Sequence, residues 1–380
     1  MQDANHQFSL PKGMYLLSHS VGCMPVLTRN LVGQTYFEPW QQKGGDAWPQ
    51  WLTIIEQFCH ELGTLFNASA ADFCPQPSVS SGLNQYLQSL RCVQSKNANR
   101  PATQKRTVLM HASAFPSLGF VVQGLAAYGF ELKLIEKDID PNDLAAWQAH
   151  LTEDVEVAMI THVHSNSGVL SNVADISALC RAKNTLTVVD VAQSAGVVPI
   201  DIAVWDVDVI LGSCVKWLCG GPGAGFMWVN PKHINALEPK QIGWFSHQNP
   251  FEFDIEHFAF TDAAKRFWGG TPSILPYATA LVGVQQINQI GSQSLFEHSK
   301  TLQRVVLADA AEHLLTPIDV EKVGGTLSVH LSKPKLTELE RALRQAGAYF
   351  DRRGDCLRLS WHIYNTTQEA QRVAQIFKSL

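Results

Sequence analysis

The chain has little charge. Of its 380 residues 17% are Asp, Glu, Lys or Arg, and the formal net charge is -5. A balance slightly on the acidic side leaves no electrostatic footprint for a nucleic-acid backbone. No run of 18 or more apolar residues occurs, so nothing reads as a membrane span. The opening MQDANHQFSLPKGMYLL has an early acid and no apolar core, and does not read as a secretory leader. The eight cysteines are scattered at Cys23, Cys59, Cys74, Cys92, Cys180, Cys214, Cys219 and Cys356. None forms C-x-x-C, which removes zinc ribbons and thioredoxin-type redox centres. Scattered thiols suit a reducing compartment, so a cytoplasmic location is expected. His162 and His164 form H-x-H, but no carboxylate cluster accompanies them and no metal is expected. The glycine cluster Gly220 to Gly225 does not spell G-x-G-x-x-G and leads into a strand pattern. That argues against a dinucleotide site.

What is present is a large apolar complement, 46% of residues, enough for a substantial core and two domains. From 107 to 229 strand-like and helix-like patterns alternate, which predicts a mostly parallel sheet with helices on both faces. Two stretches in this region carry chemistry. Val188-Val189 stops at Asp190, and the run Val207 to Leu211 stops just before Lys216. Read as strands, each delivers one charged side chain at or beyond a carboxyl end, the edge where open α/β sheets bind ligands. An acid and a lysine there suit pyridoxal phosphate (PLP). The lysine forms a Schiff base with the cofactor, and the acid keeps the pyridine nitrogen protonated.

The surrounding letters extend this. D-x-A-x-S-A-G from Asp190, followed by the lysine in V-K-W-L-C-G-G-P-G-A, resembles the cofactor segment of class V, fold-type I PLP enzymes, and among them the kynureninases. The resemblance implies roles for further residues. Ser80 or Ser81, opening a helix, would hold the cofactor phosphate, a use that a helix N-terminus suits. Phe115, before Pro116, would stack on the cofactor, and Gln193 would donate to its ring oxygen. Gly243-Trp244-Phe245-Ser246-His247 resembles the kynureninase G-W-W/F-G-H motif. It puts Trp244 by the cofactor and His247 by the substrate's aromatic amine. Thr271, in FWGGTPSI, would reach the phosphate of a partner subunit, which implies a homodimer with shared sites. Arg358, in R-x-S-x-x-x-Y-N-T, would hold the substrate's α-carboxylate, since a guanidinium fork matches a carboxylate bidentately. Three positions depart from the kynureninase pattern: Val215 stands for a phosphate-binding Tyr, Gln193 for a His, and Leu118 for an acid.

The expected architecture is α/β, a PLP-dependent transferase-like fold of type I. It divides into an N-terminal segment (1–30), a large PLP-binding domain (31–275) and a small α+β C-terminal domain (276–380). Within it a helix is expected over Trp48 to Phe66, and an irregular segment over 36–48. A short helix should open at Asp140-Pro141, and one long helix should run from Pro276 to about His313. A polar loop is expected over Arg100 to Lys105. The expected activity is PLP chemistry on an α-amino acid, kynureninase-like hydrolysis of a Cβ–Cγ bond. The alternatives are amino transfer to a 2-keto acid, a desulfurase-type lyase, or a binding homologue without catalysis. The desulfurase reading needs a nucleophilic cysteine on a loop before the arginine strand, and no cysteine lies between 220 and 355.

Overall fold

The computed structural model describes residues 4–90 and 106–380. The polar loop expected over Arg100 to Lys105 lies outside the described residues. A seven-stranded sheet forms the centre. Its strands are β1 (Phe73–Gln76), β2 (Thr107–His111), β3 (Glu131–Ile135), β4 (Val155–Thr161), β5 (Leu186–Asp190), β6 (Val209–Ser213) and β7 (Gly225–Val229). The spatial order is β1-β7-β6-β5-β4-β2-β3. β7 runs antiparallel to both neighbours, and the remaining pairings are parallel.

Successive residues of a strand face opposite sides of a sheet, and here both sides are apolar. Leu109, Ala158, Ile160, Val189, Ile210 and Phe226 enter one core, beside the helix α1 (Trp48–Phe66). Val108, Met110, Val157, Met159, Val188 and Met227 enter the other, beside α2 (Val79–Ser89) and α3 (Pro116–Gly124). Each large apolar side chain so buried contributes about 1.5–3 kcal/mol, so the double-sided sheet is a rigid platform for whatever its strand ends carry.

A second sheet of three antiparallel strands, β8 (Thr326–His330), β9 (Asp351–Arg353) and β10 (Cys356–Ser360), has its own core. Met14 and Leu16 from the start of the chain join that core.

Four expectations change. The segment 36–48 is helical: a π-turn over Gly33–Phe37, a helix over Glu38–Lys43 and a 3-10 turn over Gly44–Ala47. Its aromatics stabilise that form, with Tyr36 stacked on Trp51 of α1 at 5.4 Å. The helix after Asp140 begins instead at Leu144, capped by Asp143, because Asp140 accepts from the Asn142 N–H in a turn. The apolar run Val155 to Val163, which reads in the sequence as one strand buried on both faces, is strand only as far as Thr161. The long helix from Pro276 is two helices, Leu275–Ile290 and Ser292–Ala310, because Gly291 takes φ +82° and ends the first. The first of them packs on α1 and belongs to the large core.

Candidate active site

The carboxyl ends of five strands meet around one cavity of about 250 Å³. Ser78 and Ser80 follow β1, Phe115 follows β2, Thr161 and Ser165 come from the end of β4, Asp190 ends β5, and Val215 and Lys216 follow β6. Thr161 pairs with Asp190, and Asp190 with Leu211, so ladder register fixes the acid beside the strand that leads to the lysine.

Asp190 is 7% exposed, and its Oδ1 accepts from the Ala192 N–H at 2.9 Å. Burial pushes its carboxyl up, opposed by the charge of Lys216 and by that N–H. Burial likewise pulls the half-buried Lys216 amine below the lysine range. Asp190 opposes this, and the charges of Arg358 and Arg353 add to it. The acid and the lysine therefore sense each other across the cavity, yet no ion pair within 4.0 Å joins them among the described residues. A lysine tuned toward its neutral form can act as a nucleophile and as a proton carrier.

The lysine's loop is clamped by backbone. A Cβ on Gly22 would sit 2.0 Å from the Lys216 carbonyl oxygen, and one on Gly283 would sit 2.1 Å from that of Leu218. The Gly22 N–H donates to the Val215 carbonyl at 2.8 Å. The N-terminal turn is thus packed against the backbone of the lysine's loop, and the glycine at 22 is required by close approach.

Ser80 lines the cavity and Ser81 does not. Ser78, the cap of α2, accepts from the Ser81 N–H at 3.1 Å. Phe115 is 41% exposed and forms wall and rim together. Gln193 lines the cavity, but its amide nitrogen donates to the His19 carbonyl at 3.0 Å, leaving one further N–H. Its Oε1 is buried without a partner, as is Thr161 Oγ1. Leu118, where the kynureninase pattern has an acid, is 1% exposed and packs in the second core while lining the cavity.

Arg358 is fully buried on β10. Its Nε donates to Asp351 Oδ1 at 2.7 Å, its Nη2 to Asp351 Oδ2, and its Nη1 to the Ser165 carbonyl at 2.8 Å. One edge of the guanidinium is therefore held by protein, which leaves one N–H on each Nη of the five it has. Asp351 also accepts from His19 Nε2 at 3.0 Å. Burial holds His19 down to about 4, so it is neutral near pH 7.

Trp244, His247 and Thr271 are not brought to this cavity. Trp244 and His247 line a separate cavity of about 340 Å³ with Phe253 and Phe258. Both ring nitrogens of His247 are engaged within its own loop, by Asn249 and by the carbonyl of His257. Thr271 is exposed on a loop joined to the Trp244 turn, where Ser246 Oγ accepts from the N–H groups of Gly243 and Gly269. Sequence reasoning missed Ser78, Thr161, Ser165, Asp351 and Arg353. The signals were the serine-rich turn before α2, the polar turn THVHSNSG over 161–168, and the Asp351-Arg352-Arg353 run ahead of Gly354, which reads as an ordinary charged hairpin.

Comparison with known proteins matches this geometry. The model of the aminotransferase class-V family matches residues 88–373, and the chain belongs to that family. The family is one of PLP enzymes, so the protein is an enzyme and pyridoxal phosphate is its cofactor. It is similar to the uncharacterized aminotransferase YcbU of Bacillus subtilis, at 26% identity over 88% of this chain and 86% of that one. It is also similar to the kynureninase of Pseudomonas fluorescens, at 28% identity over 85% of this chain and 78% of that one. Among solved structures, a mutant of the lyase C-DES carrying glycine covalently linked to its PLP cofactor superposes with a TM-score of 0.85 at 21% identity, covering 98% of both chains. The apo cysteine desulfurase of Thermococcus onnurineus superposes at 0.84 and 18% identity, covering 100% of this chain and 97% of that one. These likenesses bear out fold type I.

The cavity's residues fit the cofactor. Gln193 and Thr161 line the cavity, and each carries a buried oxygen that no protein group partners. Asp190 and Lys216 line it with no ion pair between them among the described residues, a polar set that suits a charged pyridine ring.

Proposed function

We propose that the protein acts on an α-amino acid at the Lys216 cavity, by kynureninase-like hydrolytic cleavage of the Cβ–Cγ bond. The observation that carries this is the convergence of Lys216 and Asp190 on one cavity from adjacent strand ends. When bound, PLP supplies an electron sink for charge developing at the substrate's α-carbon. Asp190 holds the ring nitrogen protonated from within its buried niche. Phe115 would pack on the cofactor ring, and Ser80, Ser78 and the first N–H groups of α2 would hold its phosphate. Lys216 anchors the cofactor and moves a proton at the α-carbon. The remaining pair of N–H groups on Arg358 receives the substrate's α-carboxylate and orients the bond to be broken. Trp244, His247 and Thr271 serve the site of a second copy, in a homodimer.

A second reading, amino transfer to a 2-keto acid, is favoured by one observation. His247, the residue meant for an aromatic amine, has both ring nitrogens engaged internally. A desulfurase reading has no support from Cys356. It is buried within β10, and burial pushes its thiol up to about 11. For the chain's organisation we propose a large cofactor-binding part and a small C-terminal part that meet near Gly291. The experiment is a product assay of the holoenzyme with kynurenine. Anthranilate fluorescence together with alanine supports cleavage. Conversion to the pyridoxamine spectrum by the amino acid, reversed on adding a 2-keto acid and without anthranilate, replaces it with amino transfer.

A further inference from the structure

The charges behind the cavity do not cancel. Asp351 holds Arg358 through both oxygens and also bonds His19, which burial keeps neutral. That pair carries no net charge. Arg353, on the neighbouring strand β9, is exposed and lies 5.8 Å over the ring of Phe115, a wall of the cavity. Its Nη1 donates to Asn166 Oδ1 at 3.1 Å and more weakly to Ser165 Oγ at 3.4 Å, both neutral acceptors. No carboxylate oxygen lies within 4.0 Å of it among the described residues. Of the hairpin's other charges, Arg352 bonds Glu340 at 3.1 Å, and Asp355 is 80% exposed in its side chain and lies 3.8 Å from His330. Two guanidinium groups thus share one carboxylate. The lysine feels both, since Arg358 and Arg353 each pull its amine down.

We propose that Arg353 supplies the net positive charge that neutralises the substrate's carboxylate, while Arg358, already neutralised by Asp351, supplies only the geometry of its binding. This rests on the amino-acid reading above. A carboxylate entering next to a neutral Arg–Asp pair gains hydrogen bonds, but it also meets the repulsion of Asp351. Only a second cation offsets that repulsion. Arg353 is placed to do so at the rim, held by Asn166 and by the face of Phe115. It is a positioning and specificity residue, and it selects a monoanionic head group.

The test is a visible-spectrum titration of the holoenzyme with two probes, L-alanine and L-alaninamide, which lacks the carboxylate. Arg353→Gln is expected to weaken alanine binding about tenfold and to leave alaninamide unchanged. Arg353→Lys, which keeps the charge, should stay within about threefold of the parent. Adding Asp351→Asn to Arg353→Gln restores one net positive charge and should recover alanine affinity. A purely structural role for Arg353 would not produce that recovery. If the double variant does not fold, the Gln and Lys arms decide alone. The proposal is overturned if Arg353→Gln keeps the parent's preference for alanine over alaninamide, or if Arg353→Lys loses as much as Arg353→Gln. If neither probe perturbs the parent's spectrum, the amino-acid reading fails first and the proposal falls with it. That outcome is distinct from retained preference in a responsive enzyme.

Discussion

The strand-end cavity and the loop cluster of 242–274 carry motif residues of similar distinctiveness in the sequence, yet they are built differently. Asp190, Lys216, Gln193, Ser80 and Phe115 come from separate stretches and line one cavity, because each follows a strand of the same sheet. Trp244, His247 and Thr271 sit on a cluster without strands of the large sheet, tied together by Ser246 and surrounded by exposed apolar side chains. Phe253 is 79% exposed and Ile255 is 99% exposed. A sheet edge fixes its residues within one chain, whereas a loop cluster presents them outward. An exposed apolar patch of this kind marks an interaction surface, and a two-fold dimer would use it by turning one chain's loops to the other chain's cavity.

The comparison breaks most decisively at Lys216. Lys216→Ala should lower turnover roughly 10²–10⁴-fold or more and remove the borohydride-reducible link to the cofactor. Peptide mass mapping that finds the label on another lysine would sink the cavity assignment. Next comes Arg358→Lys, expected to weaken amino-acid binding by more than about tenfold while cofactor binding barely moves, since an ammonium cannot bridge Asp351, Ser165 and a substrate together. An unaltered apparent affinity for every active substrate would remove Arg358 from the site.

Val215→Tyr is expected to tighten PLP by about tenfold, because a hydrogen bond to a charged group contributes roughly 1.5–3 kcal/mol. Val215 lines the cavity beside Ser213, and the variant should bring no new reaction. Equilibrium dialysis that finds looser binding would mean that the phosphate lies elsewhere. The loop cluster is probed by mixing. Lys216→Ala and Trp244→Ala protomers, each impaired alone, should regain about a quarter of the parent's sites when mixed, because one site of each heterodimer is intact. No recovery, with heterodimers present by native mass spectrometry, would confine Trp244 to its own chain.

Much of this was legible in the letters. The β-branched runs ending at Asp190 and before Lys216, the alternation of strand and helix, and the helix Trp48–Phe66 follow from periodicity and strand-end chemistry, which are local properties. The two helices separated by Gly291 and the helical form of 33–47 were not read. A glycine's φ and an aromatic stack on another helix depend on contacts far along the chain. The sequence by itself determined the family, the cofactor and the choice of Asp190 and Lys216, the pair that lines one cavity, because those lie within one continuous stretch. Only the tertiary structure decided that Ser78 caps the helix where Ser80 lines the cavity, that Gly22 closes on the lysine's carbonyl, and that Asp351 bonds Arg358 while Arg353 has no carboxylate within 4.0 Å among the described residues. Each of these is a relation between residues brought together by sheet order and by the packing of the C-terminal hairpin, and charge balance can be counted only once the groups are neighbours.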